Sequence, residues 1–468
     1  MRDKTTKLFY AALFLVGVFL LFQPPIDPDF GWHFKYGEYL FKNHALLKQN
    51  VFSYTFTNYE WANSYWVAEL VLYVLYTYMG AIGTGLILSA AMSGAFLILL
   101  HKLNIGEFGK TIAAIVFFAL AGAAYTAVRP FYFSTLYLLL LAYILLYKKN
   151  WQWVLPFVFL VWANTHADFT LGLFVYAAFT IQQLVQKNFK AAVIPLVTVL
   201  ATLINPYGIK LWTTLFKETH YFQFNYIAEW LPTNYWVLLL LAAFLFASVI
   251  LAHVLDNKRF GVWYVVACSV FFLLSFRSVY FVRVLAAFSV ISVAVSWDFI
   301  LELARKFVEA KTQIILRPIF AAFIILLILI SSDGFVKNVE LASDISKWAG
   351  AKNFPYEAVL YLQKNKPEGN LLNLYGWGGF LIWQLPEYKT FIDGRMPSWR
   401  ENGESVFEDY VAITRSPNQN KDLLDSYIEK YNIRQVLDKK DAALVNYLLA
   451  TGEWQKLQET ESYVLIAK

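Results

Sequence analysis

Along residues 1–331 long apolar runs alternate with short polar breaks, and most of the runs have the length of a bilayer-crossing helix. Such a helix needs roughly 20 mostly apolar residues. Candidate runs lie near 8–23, 82–101, 111–128, 131–147, 152–163, 169–186, 191–204, 235–253, 260–276, 279–300 and 317–331. The breaks sort by charge. Arg2, Lys4 and Lys7 begin one side, which also collects His101, Lys102, Lys110, Lys148, Lys149, Lys187, Lys190, Lys258, Arg259, Arg305, Lys306 and Lys311. The alternate breaks are long or aromatic and carry few cations. Because cationic loops stay in the cytoplasm, the pattern predicts about eleven crossings with a cytoplasmic N-terminus.

The alternation holds only if "SYWVAELVLYVLYTYMG", residues 64–80, does not cross. Tyr and Trp occupy nearly every face of this stretch and Glu69 interrupts it, which suits a helix lying in the membrane interface. The first apolar run, preceded by a basic start, is followed by "QPPIDPDF" and no small-x-small cleavage site, and reads as an uncleaved transmembrane helix. Two outer loops are then large, 24–81 and 205–234.

Residues 332–468 change character, with Lys, Glu, Asp and Asn throughout, and read as a separate extracytoplasmic α/β domain after a transmembrane module spanning 1–331. Strands are predicted at 370–375, 389–393, 433–437 and 462–467, and helices near 356–364, 420–430 and 441–450.

Composition agrees with a polytopic helical membrane protein. Of 468 residues, 59% are hydrophobic and 15% charged, against about 45–50% and about 25% in soluble domains. The single cysteine, Cys268, excludes an internal disulfide and a cysteine-based zinc site. The net charge of +6 resides largely in loops between apolar runs, so it reports topology rather than a nucleic-acid partner.

Chemistry concentrates where the first helix ends, in "FQPPIDPDFGWHFKYGEYL". Pro24 and Pro25 stop the helix, and Pro28 pushes Asp27 toward extended backbone. Residues i and i+2 of an extended segment point the same way, so Asp27 and Asp29 can converge. Converging carboxylates hold a hard divalent cation through oxygen, or one of them accepts a proton from a hydroxyl nucleophile. Asp29 also suits the N-cap of the following helix, which leaves Asp27 the stronger catalytic candidate. Arg129, before Pro130, and Arg283, about one turn inside its apolar run, offer planar forks matched to phosphate oxygens. His166 and Asp168 share another outer turn, in "WANTHADFTLG".

The stretch "DPDFGWHFKYGEYL" resembles the Asp-x-Asp-x-Trp-Trp-His-x-x-x-Gly opening of bacterial GT-C fold membrane glycosyltransferases, relatives of protein mannosyltransferases, aminoarabinose transferases and oligosaccharyltransferases. "FSYTFTNYEWANSYWVAELVLYVLY", "RPFYFSTL", "WANTHADFTLG", "NPYG", the Arg283 segment and "YGWGGFLIWQLPEYKTFIDGR" follow in the same order. Gly31 replaces the first Trp of the usual pair, and Asp168 stands where a small residue is commoner. "YGWGGFLIW" lacks the aspartate of the acceptor-binding segment that it loosely resembles in oligosaccharyltransferases.

The resemblance implies transfer of a sugar, with inversion, from a polyprenyl-phosphate donor to a glycan, lipid or protein acceptor at the outer face of the cell membrane. It implies catalytic roles for Asp27 and Asp29 and substrate contacts for His33, Glu69, Arg129, His166 and Arg283. It further implies a divalent cation, Mg or Mn, on Asp29 and Asp168. A lipid-linked glycan polymerase or ligase usually depends on arginine-rich outer loops. A transporter usually places ionisable residues near mid-bilayer, whereas these apolar runs are almost free of charge.

Overall fold

The computed structural model describes residues 2–25, 27–124, 128–217, 226–227, 230–233, 236–306 and 310–468. The chain forms two compact units, each built from separated stretches.

The first unit takes residues up to Pro24, Met79–Gly208 and the described residues from 226 to Glu340. Among the described residues each predicted apolar run overlaps a helix; residues 125–127 and 235, within the runs at 111–128 and 235–253, lie outside them. Among the described residues three helices are long and apolar enough to cross a membrane: Trp66–Lys102, Trp236–Leu255 and Val279–Ala304. Lys7–Leu21, Phe131–Tyr147, Phe169–Val185, Phe189–Ala201 and Val262–Arg277 are shorter apolar helices. The runs at 152–163 and 191–204 hold α-helices of only nine residues, Leu155–Ala163 and Val193–Ala201. At 1.5 Å per residue each spans about 14 Å, half of a hydrocarbon core of about 30 Å. These two helices pack on each other, and Asn164 Nδ2 ties their ends by donating to the carbonyls of Leu160 and Ile204. Length alone thus supports three crossings and leaves the others to the apolar pattern.

Val279–Arg305 is the hub of this unit. It packs against Glu107–Ala124, Phe131–Tyr147, Trp236–Leu255 and Val262–Arg277. Lipid is as apolar as leucine, so helices associate here through close packing and polar links rather than through water exclusion. Ser289 and Ser292 return their hydroxyls to their own helix, and Ser296 Oγ crosses to the Ser248 carbonyl at 2.8 Å.

The second unit joins Pro25–Tyr78, the Ile209–Lys217 helix and Leu341–Lys468. The first loop and the tail, read above as separate, therefore share one body. The boundary expected at 331 falls inside the helix Ala310–Ser343, and the second unit begins at Leu341. Its other border lies near Gly80, whose φ of 66° and ψ of −174° interrupt the helix Trp66–Lys102. Glycine adopts that conformation without a Cβ penalty.

The tail carries a sheet of β1 (Asn370–Asn373), β2 (Ile433–Lys439), β3 (Gln455–Glu459) and β4 (Tyr463–Ala467), in the order β1-β2-β4-β3. β1 and β2 are parallel, and the other pairs antiparallel. The predicted helices appear as Tyr356–Asn365, Lys421–Lys430 and Ala443–Ala450. The strand expected at 389–393 does not join the sheet, because its backbone pairs with the first loop instead. Thr390 N–H donates to the Phe52 carbonyl at 2.9 Å, and Tyr54 N–H to the Thr390 carbonyl at 3.1 Å. β3, "QKLQE", escaped the pattern because it is a polar, largely exposed edge strand.

Two further contacts fuse loop to tail. The helix Phe30–Asn43 packs on Gly378–Gln384, where Trp383 meets the rings of Phe30, Phe34 and Tyr76. The other contact is made by Asp393 and Arg395, both fully buried side chains, which form a two-pronged pair: Nε and Nη2 each donate to a carboxylate oxygen at 2.6 Å. Arg395 also donates to Asn50 Oδ1 at 3.1 Å and to the Tyr36 hydroxyl at 3.2 Å. Burial alone would lower the guanidinium pKa, but the Asp393 carboxylate more than reverses this and holds it above its ordinary value. Burial likewise pushes the Tyr36 hydroxyl up to about 12.

Removing one partner of a buried pair leaves an uncompensated charge and costs about 3–5 kcal/mol. Arg395→Met should therefore lower the thermal stability of the purified protein severely. Lys421→Met, which breaks the exposed pair with Asp425, should cost under about 1 kcal/mol. Equal melting curves for the two variants would remove the pair from this role.

Candidate functional site

The sequence candidates separate into two groups, one in each unit. In the second unit the chain turns at Asp27, Pro28 and Asp29 and enters the helix Phe30–Asn43. Asp29 occupies the N-cap position, with φ −92° and ψ −14°, yet its side chain caps no helical N–H. Its Oδ1 instead accepts from the Trp32 indole Nε1 at 3.1 Å. The local turn bond belongs to Asp27, whose Oδ1 accepts the Asp29 N–H at 2.8 Å. The expected division of labour is thus inverted, since Asp27 shapes the turn while Asp29 is aimed by an aromatic neighbour. Both residues are partly exposed.

Behind this turn the helix is pressed against the tail. A Cβ on Gly31 would lie 1.9 Å from the Gly379 carbonyl oxygen, and one on Gly379 would lie 2.0 Å from that of Pro28. Both obstacles are backbone, so neither position has room for a side chain. The glycine that stands in place of the usual tryptophan is therefore a packing requirement of this chain's tail. A third close approach involves Gly394, whose Cβ would meet Asp29 Oδ1 at 1.9 Å.

One helical turn on, His33 Nδ1 lies 3.0 Å from Glu69 Oε1, and Asn63 Nδ2 donates to Glu69 Oε2 at 2.6 Å. The His33 ring lies against Trp32, with centroids 3.5 Å apart. Glu69 is only 1% exposed, so its geometry is that of a residue holding His33 rather than one reaching outward. Asn63 was not singled out in the sequence. Its only signal there is its place within the matched loop segment.

In the first unit His166 Nδ1 sits 3.1 Å from the Asp168 amide nitrogen and 3.3 Å from its Oδ2. The Tyr280 hydroxyl donates to Asp168 Oδ1. Arg283 lies over the rings of Phe131 and Tyr280, at 4.1 and 4.6 Å from their centroids. Asp168, Tyr280, Arg283 and Phe131 therefore form one polar–aromatic cluster, with Arg129 two residues before Phe131 and partly exposed. Tyr280 was missed because a tyrosine at a helix start near a bilayer ordinarily reads as an interfacial anchor.

Carboxylate oxygens are suitable donors for Mg or Mn, and an ion of that kind commonly takes one or two carboxylates and completes its shell with water and phosphate. Asp29, partly exposed and with Oδ1 held by the Trp32 indole, offers one such carboxylate. Asp168 fits it less well, because its two oxygens face Tyr280 and His166. Among the described residues no group of three or more His, Cys, Asp or Glu could hold a metal by itself.

The packing makes a direct prediction. Gly31→Ala should lower expression and melting temperature, since it drives a methyl into backbone, whereas Gly376→Ala, with nothing within 4 Å, should match wild type. Normal stability of Gly31→Ala, read by thermal unfolding in detergent, would contradict the packing account.

No family model matches the chain, and no curated protein does so significantly. Among solved structures, the archaeal oligosaccharyltransferase AglB from Archaeoglobus fulgidus, solved in complex with an inhibitory peptide and a dolichol-phosphate, superposes with a TM-score of 0.60 at 10% identity. The match covers 93% of this chain and 70% of the archaeal one. At that identity the likeness speaks for architecture alone, and the architecture is the one the resemblance implied: the chain has the GT-C fold.

Proposed function

We propose that this protein is an integral-membrane glycosyltransferase that moves a sugar from a polyprenyl-phosphate donor to a glycan, lipid or protein acceptor, with inversion at the anomeric carbon. The observation that carries the reading is the pair of partly exposed carboxylates on one turn, within a chain of GT-C fold. In this reading the protein is a multi-pass protein of the cell membrane, with a cytoplasmic N-terminus and an extracytoplasmic C-terminal domain.

Asp27 accepts the proton from the acceptor hydroxyl as its oxygen attacks the anomeric carbon. The bond from that carbon to the phosphate oxygen breaks, and the electron pair leaves with the polyprenyl phosphate. A phosphate leaving group needs charge stabilisation rather than a proton. Arg283, its guanidinium plane supported by Phe131 and Tyr280, and Arg129 are the groups proposed to hold it. A divalent cation would be held by Asp29, and its chemistry would be to neutralise phosphate charge. His33, steadied by Glu69, and His166 are assigned to substrate orientation.

The archaeal structure also favours a second reading. AglB is an oligosaccharyltransferase seen with a peptide and a dolichol-phosphate, so a whole oligosaccharide and a peptide acceptor form the main alternative to a single sugar and a hydroxyl.

Assays with synthetic polyprenyl-phosphate sugars test the assignment. Asp27→Asn should lose at least about a hundredfold in turnover, as expected for removal of a general base, while inserting and purifying normally. Full activity in that variant would sink the assignment of the base. Arg283→Lys should remain impaired because lysine offers a point charge without the fork, and Arg283→Ala should raise the donor KM or lower kcat. Wild-type kinetics in both would remove Arg283 and leave Arg129 as the phosphate group's partner.

A further inference from the structure

We propose that the tail turn Asp393–Gly394–Arg395 is a positioning element for the Asp29 carboxylate, so that the C-terminal segment takes part in the reaction by fixing where a first-loop carboxylate points. The proposal rests on the assignment of the Asp27 and Asp29 pair to sugar transfer. Three observations carry it.

The first is contact. Gly394 approaches so closely that an added Cβ would lie 1.9 Å from Asp29 Oδ1 and 2.8 Å from its Cγ. The same oxygen accepts from Trp32 Nε1. The carboxylate is therefore set between an indole donor on its own helix and a bare backbone position on the tail.

The second is rigidity. Asp393 and Arg395, on either side of Gly394, are both fully buried and joined by two short bonds. Arg395 N–H also donates to Asp393 Oδ1 at 3.1 Å, and Met396 N–H to the Asp393 carbonyl at 3.2 Å. The turn is anchored upstream as well. Asn373, at the end of β1, donates to the Ile392 carbonyl at 2.9 Å and accepts from Phe391 N–H at 2.8 Å. A turn tied at both ends cannot step aside, so any side chain at 394 must displace Asp29 instead.

The third is shared anchoring. Arg395 bonds Tyr36 on the helix that Asp29 opens, and Asn50 in the same loop. One guanidinium thus fixes the distance between the turn and the helix bearing Asp29. Gly394 has a negative φ and so is not among the positive-φ glycines. Its lack of a side chain serves space, not backbone conformation.

Gly394→Ala tests this, with Gly376→Ala as control. The displaced group is the mobile end of a carboxylate, so Gly394→Ala should fold with a near-normal melting temperature. Asp29 should nonetheless move. Its 13Cγ resonance, in aspartate-labelled protein and assigned by its loss in Asp29→Asn, should shift in Gly394→Ala and stay in place in Gly376→Ala. Turnover should fall about 10- to 100-fold, the scale of an ångström-sized misplacement, with the donor KM unchanged. Adding Gly394→Ala to Asp29→Asn should slow the enzyme no further.

An unmoved resonance, unchanged turnover, or losses that multiply in the double variant would each overturn the proposal. If Gly394→Ala alone fails to fold, Asp29→Ala in the same chain should restore folding by clearing the space, and failure of that rescue would overturn it too. If the wild-type protein transfers no sugar from any polyprenyl-phosphate donor, the sugar-transfer reading falls. The resonance shift then still decides whether the turn positions Asp29.

Discussion

The buried pair of Asp393 and Arg395 is the constraint around which the second unit is arranged. An isolated charge in that position would cost several kcal/mol, and the cost is offset only when the guanidinium is paired and well hydrogen-bonded. Two prongs go to Asp393, one to Asn50 and one to Tyr36. Asn50 in turn donates to Ser53 and to the carbonyls of Thr55 and Phe56. One arginine thereby fixes the first-loop helix, the irregular chain after it and the tail turn. Asp27 and Asp29 therefore sit on a platform whose geometry is set more than 350 residues later in the chain.

Close backbone approach complements that pair. Gly31, Gly379 and Gly394 each stand where a side chain would strike a neighbour, and the rings of Trp383, Phe30, Phe34 and Tyr76 close over the joint. The first unit uses a different economy of forces. There Val279–Arg305 is surrounded by other helices, with serine hydroxyls satisfying carbonyls inside apolar surroundings. Its polar–aromatic cluster of Asp168, Tyr280 and Arg283 is an exception that invites a functional explanation, because ionisable residues in such surroundings are costly unless paired and commonly mark function.

The helical segments were legible because apolar runs are written directly into the chain, whereas among the described residues only three helices have the length of a crossing. The aromatic stretch at 64–80 was likewise legible as distinct, and Gly80 breaks the helix where that stretch ends. Long-range pairing was not legible. The 389–393 stretch has strand-like composition, and nothing local says that Thr390 pairs with Phe52 and Tyr54 rather than with β1. For the same reason the loop and the tail looked like independent bodies. At the membrane exit, spacing suggested extended backbone with Asp27 and Asp29 side by side, whereas the chain makes a turn there with Asp29 in helical backbone, and capping preference misassigned their bonds. Trp32 competes for the Asp29 carboxylate, and that contact depends on how the helix packs. Asp393, Gly394 and Arg395 stood within a recognisable segment, and their importance emerges only once burial is known.

The account stands or falls on a lipid-borne donor. The most direct measurement compares lipid-linked sugars and surface glycans in cells with and without the gene, by mass spectrometry of extracted lipids and released glycans. The account predicts that loss of the protein leaves one polyprenyl-phosphate-linked sugar or oligosaccharide in excess and removes the matching residue from a surface acceptor. Identical lipid-linked pools and identical surface glycans in both cells would contradict it.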